Sequence, residues 1–137
     1  MWGAMSATDV SPLCSLNATV YEEVLDNFLL PAVEDLFGDA DFTCQQDLAP
    51  PHTAKTTKKW FEHHQIGQIG WSAYSPDLNS TEDLSGTVKK TSQRYRPTTL
   101  EQLKCAITLY WQAIPPGECD RLICSMPRRL EAVIGQR

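Results

Sequence analysis

Three times this chain sets a small capping residue three positions ahead of a glutamate, with apolar residues following at helical spacing. The segments are Thr19-Val-Tyr-Glu22, Asn79-Ser-Thr-Glu82 and Thr98-Thr-Leu-Glu101. In such a box the first side chain accepts from a backbone N–H of the opening turn, and the glutamate reaches back to the cap. Three helix starts follow. The first helix carries Tyr21, Val24, Leu25, Phe28 and Leu29, and Pro31 kinks it or starts a second short helix ending at Gly38. The second runs from near Asn79 to about Tyr95 with Leu84 and Val88 inward. The third passes through Leu100, Leu103, Ile107, Tyr110 and Ile114 until Pro115-Pro116 stops it. A last helix holds Leu122, Ile123, Leu130, Val133 and Ile134, broken or kinked at Pro127.

Short strand-like runs fill the first half. Residues 1–6 and 12–18 read as two strands around a turn at Thr8-Asp9, and 42–46 as a third. Residues 66–71 form a weak strand, thinned by Gly67 and Gly70, and residues 53–64 an amphipathic helix. Strands first, then strands alternating with helices, then helices only, is a mixed α/β order. At 137 residues the chain is one domain or part of one. It has no apolar run of the roughly 20 residues that a membrane helix needs, and the opening MWGAMSATDV does not read as a secretory signal.

The cysteines are Cys14, Cys44, Cys105, Cys119 and Cys124, odd in number and without Cys-x-x-Cys spacing. They read as buried free thiols of a reducing compartment, so the sequons at Asn17 and Asn79 carry no weight. Charge is uneven. Residues 1–54 hold nine acids and no Lys or Arg, whereas residues 55–137 hold all twelve bases against eight acids. A basic second half suits a polyanion, or is simply a solvated surface.

Two acids stand out by context. Asp47 ends the strand candidate at 42–46 and precedes Pro50-Pro51-His52, while Glu82 lies in the first turn of the second helix. Together they would suit Mg²⁺ as hard oxygen ligands, and two such ions clamp the attacking and leaving oxygens of a phosphodiester. Asp47 reads equally as a turn residue and Glu82 as the end of its capping box. His52 suits a phosphate, a carboxylate or a loop, and His63-His64 favours the end of its helix. No zinc site is expected.

Three collinear blocks carry a resemblance: QQDLAPPHTAKTTKKWF (45–61), WSAYSPDLNSTEDLSGTVKK (71–90) and SMPRRLEAVI (125–134), with MWGAMS and GDADF in support. The chain resembles the catalytic domain of Tc/mariner-type DDE transposases over essentially its whole length. The resemblance implies an RNase H-like α/β fold of the DDE integrase and transposase superfamily with C-terminal helices. It also implies DNA cleavage and strand transfer with Mg²⁺ or Mn²⁺, DNA as partner, action in the nucleus and no membrane. Asp47 takes the place of the family's second acid and Glu82 of its third, with thirty-four residues between them. His52 and Asn79 are the supporting residues.

The sequence also departs from the pattern. The family's first acid lies on a central strand upstream of the WG motif, where this sequence begins, so residues 1–137 are expected to be a partial domain with an incomplete sheet. The N-terminal DNA-binding domains and an import signal are not evident in it. Ser80 replaces a usual Pro, Thr81 an apolar residue and Ser85 a usual Trp, a packing loss if that site is buried. The expectation is a transposase-derived domain that is inactive alone. The alternatives are a binding module for nucleic acid or an intact transposase subunit, with Lys55, Lys58, Lys59, Lys89, Lys90 and Arg94 on phosphates, and an unselected relic of a decayed element.

Overall fold

The computed structural model describes residues 1–15, 20–71 and 75–135. These form two compact units: Met1 with residues 14–75, and residues 2–13 with 76–137. No described helix is long and apolar enough to cross a membrane.

In the first unit α1 (Tyr21–Val24) passes into a π-helical turn (Leu25–Leu29) and then α2 (Leu30–Phe37). Pro31 was expected to kink or restart this helix. The wide turn just before it answers the same problem, because proline has no N–H to give and its ring crowds the carbonyl four residues back. Gly38 ends α2 at φ 56°, a conformation that a side chain would strain. Thr19 lies outside the described residues; Val20 occupies the N-cap, and Glu22 accepts from Thr57 Oγ1 instead (3.3 Å). One turn on, Asp26 Oδ1 accepts from Trp60 Nε1 (2.8 Å). These bonds stitch the first helix to α4 (Lys55–His63), over a core of Val24, Leu25, Leu29, Ala32, Thr57, Trp60 and Phe61.

The expected strands shorten to β1 (Thr43–Cys44) and β2 (Gly67–Gln68), paired in parallel with Thr43 opposite Gly67 and Cys44 opposite Gln68. Between them lie α3 (Pro50–Thr53) and α4, which meet at Ala54, so the helix expected over 53–64 is preceded by a separate turn. At the end of α4, Ile66 N–H bonds Phe61 O (3.1 Å) and Gln65 N–H bonds Glu62 O (3.2 Å). This is a Schellman closure, with Gln65 at φ 55° where glycine is usual.

The second unit opens with a tight reversal rather than two strands. Ser6 N–H bonds Asp9 O (2.8 Å), Ser11 N–H bonds Ala4 O (2.8 Å), and Met5 bridges Val10 in antiparallel fashion. The turn at Thr8-Asp9 is as expected. The second strand shortens to isolated bridge residues: Val10 pairs with Met5, Cys14 is also bridged, and residues 16–18 lie outside the described residues. A 3₁₀ turn (Pro76–Leu78) leads into α5 (Ser80–Arg94), followed by α6 (Leu100–Gln112), α7 (Pro116–Cys124) and α8 (Met126–Gly135). Leu84 and Val88 face inward as the spacing predicts, joined by Trp111, Cys119 and Leu122. Trp111 Nε1 donates to Ser11 O (2.7 Å), and its ring leaves no room for a Cβ at Gly3, which would lie 2.8 Å from Cζ2. The tail breaks at Ser125, two residues earlier than Pro127, which sits in the first turn of α8 where its missing N–H costs nothing.

The third capping box is shifted by one. Thr99 is the N-cap and accepts from Gln102 N–H (3.1 Å), while Gln102 Oε1 accepts from Thr98 N–H (2.8 Å) and leaves Glu101 facing Lys104. Three of the five thiols also depart from expectation, since Cys44 is half-buried and Cys105 and Cys124 are exposed.

Candidate metal-ligating acids

Asp47 follows β1 by three residues in the first unit. Its Oδ1 accepts from Ala49 N–H (2.9 Å), the turn bond expected of an aspartate ahead of a helix, and it also meets His52 Nδ1 (2.5 Å). An ionised carboxylate only accepts, so Nδ1 carries the proton in this pair. The two bonds share one oxygen. Oδ2 has no hydrogen-bond partner among the described residues, and the side chain is 42% exposed. His52 is backed by Tyr21, whose ring lies 4.8 Å away.

Glu82 lies in the second unit, in the first turn of α5. Asn79 caps that helix by accepting from Thr81 N–H (3.2 Å), but its own N–H bonds Pro76 O (3.0 Å), so the reciprocal half of the box is not made. Glu82 is exposed, and its carboxylate has no partner among the described residues. The cap explains why Ser80 suffices where Pro is usual, and Ser85 is only half-buried. Next to Glu82, Asp83 is held by Arg129 Nη1 (2.5 Å), which also donates to Asp77 O (3.0 Å). Arg129 fastens α8 to the segment that carries Glu82, and no local periodicity marks a pair 46 positions apart.

Lys55, Lys58 and Lys59 share one exposed face of α4, opposite Thr57, Trp60 and Phe61. Lys89, Lys90 and Arg94 are exposed on α5. His64 lies against Trp60 (4.2 Å between rings) and 3.8 Å from Asp26, away from any cluster of donors. Among the described residues no three His, Cys, Asp or Glu side chains gather into a metal site. Taken singly, Asp47 and Glu82 are hard oxygen donors that suit Mg²⁺ or Mn²⁺, since Mg²⁺ commonly takes only one or two carboxylates from protein.

The Tcb2 transposase of Caenorhabditis briggsae is 36% identical over 138 residues, covering 98% of this chain and 50% of that protein. The chain is homologous to the Tc/mariner transposases. The Tc1 transposase of Caenorhabditis elegans is 30% identical over the same shares of both proteins. The chain spans about half the length of these relatives. Its fold matches the crystal structure of the Mos1 mariner transposase catalytic domain, with a TM-score of 0.75 at 20% identity over 94% of this chain and 69% of that one. A Mos1 catalytic domain solved with raltegravir and Mg gives 0.74 at 21% identity, covering 94% and 70%. No protein-family model matches the chain. The fold is therefore RNase H-like, helix-rich with a small sheet, in a chain homologous to transposases.

Proposed function

We propose that this chain is the acid-bearing part of a DNA strand-cleaving and strand-joining domain, with Asp47 and Glu82 as ligands of Mg²⁺ or Mn²⁺. The observation that carries the reading is that both acids keep carboxylate oxygens without a partner at the positions the Tc/mariner pattern assigns to ligands. A bound divalent ion would polarise a phosphodiester and lower the pKa of the attacking water or hydroxyl. Asp47 and Glu82 would each offer it a hard oxygen ligand, and His52 and Asn79 would fix the local backbone and side-chain geometry of the acid beside each. Mn²⁺ titration followed by the free-ion electron paramagnetic resonance signal tests the ligands: Asp47→Asn and Glu82→Gln should each weaken binding at least about tenfold. Cleavage of transposon-end DNA by a protein containing this chain, undiminished in Asp47→Ala, would overturn the reading.

A second reading is a module that binds nucleic acid, acting in the nucleus beside an intact transposase subunit. The shared exposed face of Lys55, Lys58 and Lys59 favours it. DNA affinity should then fall with salt, and Lys58→Glu with Lys59→Glu should remove most of it in a gel-shift titration. Unchanged affinity in that double variant excludes this face. A relic without a selected role would lack a cooperative melting transition.

A further inference from the structure

Asp47 is held by more than its turn. Tyr21 Oη donates to Gln46 Oε1 (3.0 Å), and Gln46 Nε2 donates to the carbonyl of His52 (3.3 Å). His52 Nδ1 then meets Asp47 Oδ1, and the Tyr21 ring rests at 4.8 Å from the imidazole. The path starts on α1 and ends on the carboxylate, so helix and acid-bearing loop are tied through side chains. A carboxylate with no such ties rotates about its last bond and offers either oxygen. Here both ties fall on Oδ1, which fixes the carboxylate plane and leaves Oδ2 as the outward donor.

We infer that Tyr21, Gln46 and His52 are positioning residues that lock Asp47 so that Oδ2 alone faces a divalent ion. The inference rests on the reading of Asp47 as a ligand, but the lock has a signature that needs no metal. Water-exposed imidazole favours the Nε2–H tautomer, whereas the lock requires Nδ1–H. The order of effects follows from distance along the path. Removing His52 frees the carboxylate directly, and removing the Tyr21 hydroxyl loosens it through Gln46. Partners that orient a metal ligand typically change affinity by about 10- to 100-fold when removed.

The test uses the full chain, uniformly ¹⁵N-labelled, at neutral pH. Long-range ¹H–¹⁵N spectra should show His52 as Nδ1–H in the wild type and shifted toward Nε2–H in Asp47→Ala; an Nε2–H tautomer in the wild type overturns the lock. Mn²⁺ titration is the second arm. His52→Ala should weaken binding about 10- to 100-fold, His52→Asn, which keeps a donor near the Nδ1 position, should recover most of the loss, and Tyr21→Phe should fall between. Melting curves on each variant separate unfolding from loss of orientation, and His52→Asn is the arm least exposed to it. Binding in His52→Ala equal to or tighter than wild type, with Asp47→Asn still impaired, would make His52 a spectator or competitor and overturn the inference. If no protein binds Mn²⁺ while the Nδ1–H tautomer persists, the ligand reading of Asp47 falls and the lock stands.

Discussion

At the scale of single residues, Gly3 and the thiols make the sharpest statements. Gly3 presents its Cα to Trp111 and Leu13, and a Cβ there would lie 2.6 Å from Leu13 Cδ2. Gly3→Ala should therefore destabilise the protein by about 1–3 kcal/mol, as overpacking does, read as a lower denaturant midpoint. Thiols divide by burial. Cys44 is pushed up to about 11 by burial, and Cys119 is raised by burial and by the nearby charges of Asp9 and Glu118. At pH 8 Cys105 and Cys124 should react with a disulfide reagent in the native protein, while Cys14, Cys44 and Cys119 wait for unfolding. The expectation of five buried thiols failed because apolar neighbours in sequence do not set which side of a helix a cysteine occupies. Asp47 was legible as a strand-end acid, and so was its turn. The oxygen that His52 occupies was not, because Tyr21 stands 25 positions from Gln46 and nothing local links them.

At the scale of elements, helices read well and strands read poorly. Leu84 and Val88 gave the inward face of α5 directly, since a 3.6-residue period survives wherever one side is buried. β1 and β2 shrink to two residues each, and their pairing depends on a partner more than twenty positions away. The Thr98 box slipped by one because Thr99 and Gln102 offer the same chemistry one step along. Gly86 sits inside α5 with open space where its Cβ would be. Gly86→Ala should raise stability by about 0.5–1 kcal/mol without touching the core, seen as a higher melting temperature. The seam between α1 and α4 adds a pH dependence. Hydrogen bonds from Thr56, from its own backbone N–H and from Thr57 hold the Glu22 carboxyl below its usual range, against a smaller opposing effect of burial. A lowered folded pKa means stabilisation present above the unfolded value of about 4.3 and lost as pH falls through the folded one. Melting curves of wild type and Glu22→Gln should differ at neutral pH and converge in acid.

At the scale of the whole molecule, the charge asymmetry takes structural form as two separate basic helix faces, on α4 and on α5. The fold class was legible from element order together with three family blocks, and the pairings that complete it were not. The bond from Trp111 to Ser11 spans 100 positions, with most of the first unit's sequence in between. That feature sets an order of events during synthesis. The opening reversal leaves the ribosome long before the indole that seats it, so the second unit waits until α6 has emerged. Closing so long a loop is a slow, entropically costly step. Refolding of the full chain should accordingly show the Trp111 environment forming late, after helix content has returned, in stopped-flow fluorescence compared with Trp111→Phe. A nascent chain halted before α6 would carry the reversal at residues 4–11 without its anchor, open to proteases until translation resumes.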